Sequence, residues 1–162
     1  MRTLLIGIDS GTQSTKALVV DAKNGKVLGS GAQAYDLIPN LPPGAKEQHP
    51  HSWREATASA IRQALRSAKA TASEVKAIGV SGQQHGFVPL DKAGEVIRPA
   101  KLWCDTATAA ECEEITEKLG GPKKTLKTLG NAVLPGFTAS KILRMKNHEP
   151  KNFARLATVM LP

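Results

Sequence analysis

Aromatic side chains are scarce in this 162-residue sequence, which holds three Phe, two Trp and a single Tyr. Leu, Ile, Val and Ala must therefore fill the core, and the length suffices for one domain with a real interior. Only two cysteines occur, Cys104 and Cys112. They supply neither a metal set nor a disulfide framework, and a reducing, cytoplasmic setting fits them. No apolar run approaches the length of a membrane span. The apolar residues after Arg2 are too few for a secretory signal and lead directly into Asp9. His49, His51 and His148 have no partner at metal spacing, so they read as loop or surface residues. A Walker-type Gly-Lys-Ser/Thr motif, a dinucleotide-binding glycine fingerprint and a serine-hydrolase elbow are all missing. The sequence thus carries no signature of P-loop, nicotinamide or acyl-serine chemistry.

Acidic charge is also short, and the formal net charge is +8. The excess is local. Lys118, Lys123, Lys124, Lys127, Lys141, Arg144, Lys146, Lys151 and Arg155 face Glu149 alone within residues 118–155, which accounts for the full imbalance. A single-strand or RNA binder interleaves aromatics with such charge, and only Phe137 and Phe153 are there. The segment reads instead as a solvated face or one meeting an acidic partner domain, with no nucleic acid as partner.

What is present begins at the N-terminus. The run Leu4-Leu5-Ile6-Gly7-Ile8 ends in Asp9, turns through Ser10-Gly11-Thr12-Gln13-Ser14-Thr15-Lys16 and resumes as Ala17-Leu18-Val19-Val20. Two short Leu/Ile/Val-rich runs around a polar tip predict a β-hairpin. Gly11 lets a ligand approach the backbone, amides near Thr12, Gln13 and Ser14 can point at an anion, and Lys16 adds a donor. Asp9 is placed to hold a metal-bound water. An ordinary polar turn is the competing reading of the same stretch.

Downstream, Asn24-Gly25 signals a tight turn into a third strand over about 26–35. A proline-rich loop over 36–50 follows. Ser52 with Glu55 forms a capping-box pattern that predicts a helix start, and Trp53, Ala56, Ala60, Ile61, Ala64, Leu65 and Ala68 share its apolar face. Val75–Val80 reads as a strand, and Leu102–Asp105 as another that ends in an acid. Helices are predicted over 107–119, on to Leu129, over 138–148 and from Pro150, with a last strand near 158–161. A meander followed by helix–strand alternation predicts an α/β domain with a mixed sheet.

Polar clusters thus fall at three strand ends: Asp9–Lys16, Gln83–Gly86 and Asp105. Such loops are where α/β proteins place ligands. Gln84 and His85 offer amide and imidazole groups, Asp105 a carboxylate, and Trp103 an apolar wall. Neutral hydrogen-bonding groups with one acid suit a polyol or sugar. Taken singly, Gln84-His85 also reads as a solvated turn, Asp105 as a helix N-terminal acid, and Trp103 as core.

The opening Ile6-Gly7-Ile8-Asp9-Ser10-Gly11-Thr12, with Lys16 and Asp21, resembles the start of the FGGY carbohydrate kinases. Ala77–Gly86, Arg98–Asp105 and Gly130–Lys141 extend the likeness over nearly the whole chain, toward the N-terminal part of the family's xylulokinase branch. The resemblance implies a ribonuclease H-like fold of the actin and hexokinase type, with ATP and Mg²⁺ as cofactors. D-xylulose is the implied sugar; another pentulose or a polyol is the alternative, as is a non-catalytic sugar-binding module. By the same resemblance Asp9 organises Mg²⁺ and is important for activity, and Gly11, Thr12, Gln13, Ser14 and Lys16 line the ATP phosphates. Gln84 and His85 match the pair that contacts the sugar, and Asp105 an acid near its hydroxyls. Glycerol kinases carry Arg-Glu where Gln84-His85 stands, which speaks against glycerol. Xylulokinases often carry Met at Gln84 and Arg at Ala107. The general-base Asp is expected beyond Pro162, so the chain is expected to be a partial domain, with little activity alone, of a parent for which a homodimer is one option.

Overall fold

A computed structural model describes residues 2–162. Alternation of side chains builds its first sheet. In β1 (Leu4–Ser10), Leu4, Ile6 and Ile8 are buried while Leu5, Gly7 and Asp9 face outward. β2 (Ser14–Asp21) buries Thr15, Ala17 and Val19 and turns Lys16 and Leu18 out. The two pair antiparallel, with Asp9 opposite Lys16 and Ile8 opposite Ala17. Burying each Leu or Ile of this inner face stabilises the fold by about 1.5–3 kcal/mol. Gly25, at a φ of 72°, carries the chain from β2 into β3 (Val27–Ala34). β5 (Val75–Gly82) joins on the other side, parallel to β1, and the sheet order is β3-β2-β1-β5. The mixed sheet expected from the sequence is therefore present.

Helix α1 (Pro50–Ser67) covers the inner face through Ala56, Ala60 and Ala64. It packs with almost no side chain in between. A Cβ at Gly29 would lie 2.4 Å from the Ala68 nitrogen, and one at Gly31 would lie 2.3 Å from the Ala60 carbonyl oxygen. The strand can press against the helix only because both positions are glycine. Its start corrects the sequence expectation. The helix begins at Pro50, so Ser52 lies inside the first turn and does not cap it with Glu55. Proline's fixed φ suits a first helical position, where its missing N–H is not needed. A capping pair of that kind forms instead at the 3-10 turn Ala72–Glu74, where Thr71 N–H donates to Glu74 Oε2 at 2.8 Å. Glu74 also takes the Arg2 guanidinium at 2.8 Å, and that bond, with the Thr71 amide, holds its carboxyl down at about 2.

The backbone divides into two compact units, one of residues up to Leu37 with Pro50–Gln83, the other of Ile38–His49 with Gln84–Pro162. The second unit contains two small ladders, β4 (Glu47–Gln48) with β7 (Ala100–Lys101) and β6 (Val88–Leu90) with β8 (Thr158–Met160). Its helices are α2 (Ala109–Lys118), α3 (Pro122–Leu129), α4 (Thr138–His148) and α5 (Pro150–Phe153). The expected strand over Leu102–Asp105 is not one. The ladder stops at Lys101 and the chain turns, with Asp105 N–H donating to the Leu102 carbonyl at 3.1 Å. The buried Asp105 carboxylate bends the chain by collecting the amides of Lys46 and Ala107.

Replacing Gly31 with Val is expected to lower stability in urea unfolding by about 3 kcal/mol, because the new atoms meet helix backbone that cannot yield. The Arg2–Glu74 pair contributes stability that is present above the ordinary glutamate value of 4.5 and lost as pH falls toward 2. Arg2→Ala is expected to raise the midpoint of acid unfolding, read by circular dichroism.

Candidate functional site

The hairpin tip closes tightly. Gly11 N–H donates to the Ser14 carbonyl at 3.0 Å, leaving Gly11, Thr12 and Gln13 as the loop between β1 and β2. The Tyr35 hydroxyl donates to the Gly11 carbonyl at 2.5 Å and accepts from Thr15 Oγ1 at 3.4 Å. From the end of β5, Gln83 N–H donates to the Ser10 carbonyl at 3.0 Å, and Thr12 Oγ1 donates to Gln83 Oε1 at 3.4 Å. The loop is thus braced from both flanks. Gly11 has an ordinary φ, and a Cβ there would meet only the Ser14 carbonyl at 3.5 Å. The fold does not require a glycine at this point.

Below the tip, Asp9, Lys16 and Ser81 line an open hollow of about 610 Å³ together with Gly7, Leu18 and Gly79. Asp9 stands beside Lys16 on one neighbouring strand and Ser81 on the other. Gly7 and Gly79 are register partners, and a Cβ at either meets nothing within 4 Å. Neither the Asp9 carboxylate nor the Lys16 ammonium has an ion-pair or hydrogen-bond partner among the described residues. A smooth glycine floor thus carries one acid and one base that the fold leaves uncommitted. No group of three or more His, Cys, Asp or Glu able to hold a metal occurs among the described residues. A lone carboxylate fits Mg²⁺, which keeps several waters and relies on substrate phosphates, better than a metal needing a full protein cage.

The Gln83-Gln84-His85 string divides. Gln83 belongs with the hairpin loop, whereas Gln84 and His85 are exposed in the second unit. His85 adopts a φ of 55°, the left-handed region that a non-glycine residue rarely occupies. Its ring lies against Phe137, with centroids 4.7 Å apart and planes tilted by 42°. Trp103 is not core: half of its surface is exposed. Its carbonyl oxygen is so close to Gly136 that a Cβ there would come within 2.8 Å. The loop before α4 therefore touches both His85 and Trp103, and the structure brings these two together.

Asp105 belongs to the same unit and is wholly buried. Its Oδ2 accepts from Lys101 Nζ at 3.0 Å and from Lys46 N–H at 3.0 Å, and its Oδ1 accepts from Ala107 N–H at 3.1 Å. Lys101 also reaches Glu47 at 2.9 Å, and Arg98 links Glu47 to Glu149. Lys141 is buried as well, donating to the carbonyls of His85 at 2.7 Å and Gly136 at 2.5 Å. Burial pushes its ammonium down to about 8; the Asp105 carboxylate opposes the shift. Lys141 shares the buried side of α4 with Met145, one turn on, and a lysine at apolar spacing is the signal the sequence carries for it. Tyr35 has a weaker one, as the sole tyrosine, just past the strand paired with the hairpin.

Three of the nine bases in the segment, Lys118, Arg144 and Arg155, pair with acids outside it. Glu114 pairs with Lys118, Glu111 with Arg144 and His148, and Asp91 with Arg155. Lys123, Lys124 and Lys127 are exposed on α3, and Lys146 and Lys151 are exposed on α4 and α5. No helix among the described residues is long and apolar enough to cross a membrane.

The mixed sheet that opens on the braced hairpin has the actin and hexokinase-like fold of its structural neighbours. The chain belongs to the FGGY family of carbohydrate kinases: the model of that family's N-terminal domain matches residues 4–162. It is 44% identical over 163 residues to a xylulose kinase from Haemophilus influenzae, covering 98% of this chain and 33% of that protein. A solved xylulose kinase from Brucella ovis superposes with a TM-score of 0.89 at 34% identity, over 98% of this chain and 32% of that one. A gluconate kinase from Lactobacillus acidophilus shares the fold, with a TM-score of 0.87 at 24% identity over 99% of this chain and 31% of its own. The chain spans about a third of the length of the relatives it matches.

Lys101→Met removes the cation from between Glu47 and Asp105 and leaves both carboxylates buried. A loss of about 3–5 kcal/mol in urea unfolding is expected, with the second unit's near-ultraviolet signal, from Trp103, the first to change.

Proposed function

We propose that this chain supplies the phosphate-binding and sugar-binding parts of a kinase that transfers the γ-phosphoryl group of ATP to D-xylulose. The observation that supports the nucleotide side most is the hollow around Asp9. Its acid and base are uncommitted and its floor is glycine where the fold requires none. Asp9 would hold Mg²⁺, and Gly11, Thr12, Gln13, Ser14 and Lys16 would receive the phosphates, by backbone approach and by the lysine charge. Bound Mg²⁺ would neutralise charge on the transferring phosphoryl group. Lys16 adds a fixed positive charge to the same hollow, while Tyr35 and Gln83 hold the loop rigid so that its geometry is set before a ligand arrives.

Gln84 and His85 would hydrogen-bond the sugar hydroxyls, and the exposed Trp103 face would carry its apolar side. Asp105 acts indirectly: it is buried, and its bonds to Lys101, Lys46 and Ala107 shape the turn that presents Trp103. None of these 162 residues is assigned as the general base that takes the sugar proton, so little turnover is expected of this chain by itself. A second reading, a kinase for another pentulose or a polyol, draws on Gln84, which departs from the methionine frequent in xylulokinases.

Calorimetry separates these readings. D-xylulose and Mg²⁺–ATP are each expected to give saturable heat with this chain. His85→Ala should weaken the sugar at least tenfold without touching the nucleotide, and Asp9→Asn should do the reverse. Binding of ribulose with none of xylulose would transfer the assignment to the second reading. Heat from neither sugar nor nucleotide would overturn both.

A further inference from the structure

His85 is held in a left-handed backbone conformation that costs free energy. The restraint comes from the start of α4. Phe137 packs on the imidazole, the Thr138 hydroxyl donates to the Gly86 carbonyl at 3.2 Å, and the Lys141 ammonium reaches the His85 carbonyl at 2.7 Å. The same ammonium takes the Gly136 carbonyl at 2.5 Å, one residue before Phe137. One cation therefore bonds two peptide groups, one at the His85–Phe137 contact and the other at the Gly136–Trp103 approach.

We propose that Lys141 is a positioning residue: its ammonium ties the His85 carbonyl to the Gly136 carbonyl, locks the left-handed turn at His85 and so fixes the imidazole and the Trp103 face in their working arrangement. The role extends the sugar-binding reading and rests on it for its consequence, but not for its geometry. A lysine wholly without exposed surface is a costly way to satisfy two carbonyls unless their relative placement matters. A hydrophobic residue would pack the same volume but leave the His85 and Gly136 carbonyls without this donor.

The charged and titratable groups around Lys141 define how it responds to pH. Burial lowers it most, Lys101 adds to that, and Asp105 with the thiols of Cys104 and Cys112 acts in the opposite direction, giving about 8. Its ammonium therefore persists below pH 8 and is lost above it. The unfolded chain keeps the proton up to the ordinary value of 10.5, so between these limits the unfolded state binds more protons and stability from this group rises with pH. The clamp loosens over the same range, because an amine donates more weakly than an ammonium. Local order at His85 and global stability should thus move in opposite directions over this range.

Nitrogen-15 spectra of the full chain test this without a ligand. The amides of Gly86 and Phe137 follow the two bonded carbonyls and report on them. Both are expected to titrate together with a midpoint near pH 8 in the wild type, and both transitions should vanish in Lys141→Met. The His85 ring protons should lose the upfield displacement imposed by Phe137 in that variant. If Lys141→Met does not fold, the wild-type titration alone decides: two amides that stay flat over the whole range from pH 7 to the ordinary lysine value of 10.5 overturn the proposal. In calorimetry, Lys141→Met should bind D-xylulose at least tenfold more weakly while Mg²⁺–ATP binding is unchanged. Equal sugar affinity in the two proteins overturns the positioning role. Absence of sugar binding in the wild type would instead defeat the sugar reading, and the amide titration would then decide the role of Lys141 by itself.

Discussion

The second unit depends on a line of charge, buried at Glu47, Lys101 and Asp105 and half-buried at Arg98 and Glu149, that must be complete to be tolerable. Glu149, Arg98, Glu47, Lys101 and Asp105 follow one another by ion pairs, and Lys141 lies close enough to Asp105 to feel its field. Three acids are set against three bases. Charges removed from water need partners of good geometry, and removal of one member exposes its neighbours to the full desolvation cost. This line determines much of the local backbone. Glu47 and Lys101 bring β4 to β7, Asp105 bends the chain after Lys101, and Arg98 reaches Glu149 at the junction of α4 and α5. The exposed His85 and Trp103 stand on this foundation.

The first unit is organised by the opposite means. Its centre is a seam of small residues, with Gly29 and Gly31 against Ala60, Ala64 and Ala68, and no charge enters it. Backbone-to-backbone packing leaves few rotamers to choose between, so α1 has one seat on the sheet. The sheet then holds Asp9 and Lys16 at neighbouring positions on the face away from that seam. Rigidity on one face and uncommitted charge on the other are the conditions under which a phosphate site can be prepared in advance.

Much of this is legible in the sequence because local patterns and tertiary packing agree. The period-2 runs around Asp9, the Asn24-Gly25 turn, and the helix over 138–148 need no distant partner to be read. The departures share a cause. Ser52 and Glu55 have a capping spacing, but Pro50 two residues earlier can already begin the helix. Leu102–Asp105 looks extended until the amides of Lys46 and Ala107 bind the carboxylate at its end, and the first of these lies 59 residues away in sequence. Gln83, Gln84 and His85 are consecutive, yet they serve different units, because β5 ends just before them. The role of Lys141 is hidden for the same reason: its partners are carbonyls, which every residue carries and no composition reveals.

The placement of the two tryptophans has a practical consequence. Trp53 is buried in α1 of the first unit, and Trp103 is half-exposed in the turn of the second. Each unit therefore holds one fluorophore, in contrasting surroundings: an apolar shell gives emission at shorter wavelength and water gives it at longer. Intrinsic fluorescence of the unmodified chain superimposes two signals that differ in colour. Quenching by iodide reaches mainly the redder one, so the unit that carries His85 and Trp103 can be followed spectroscopically while the other stays dark to the quencher.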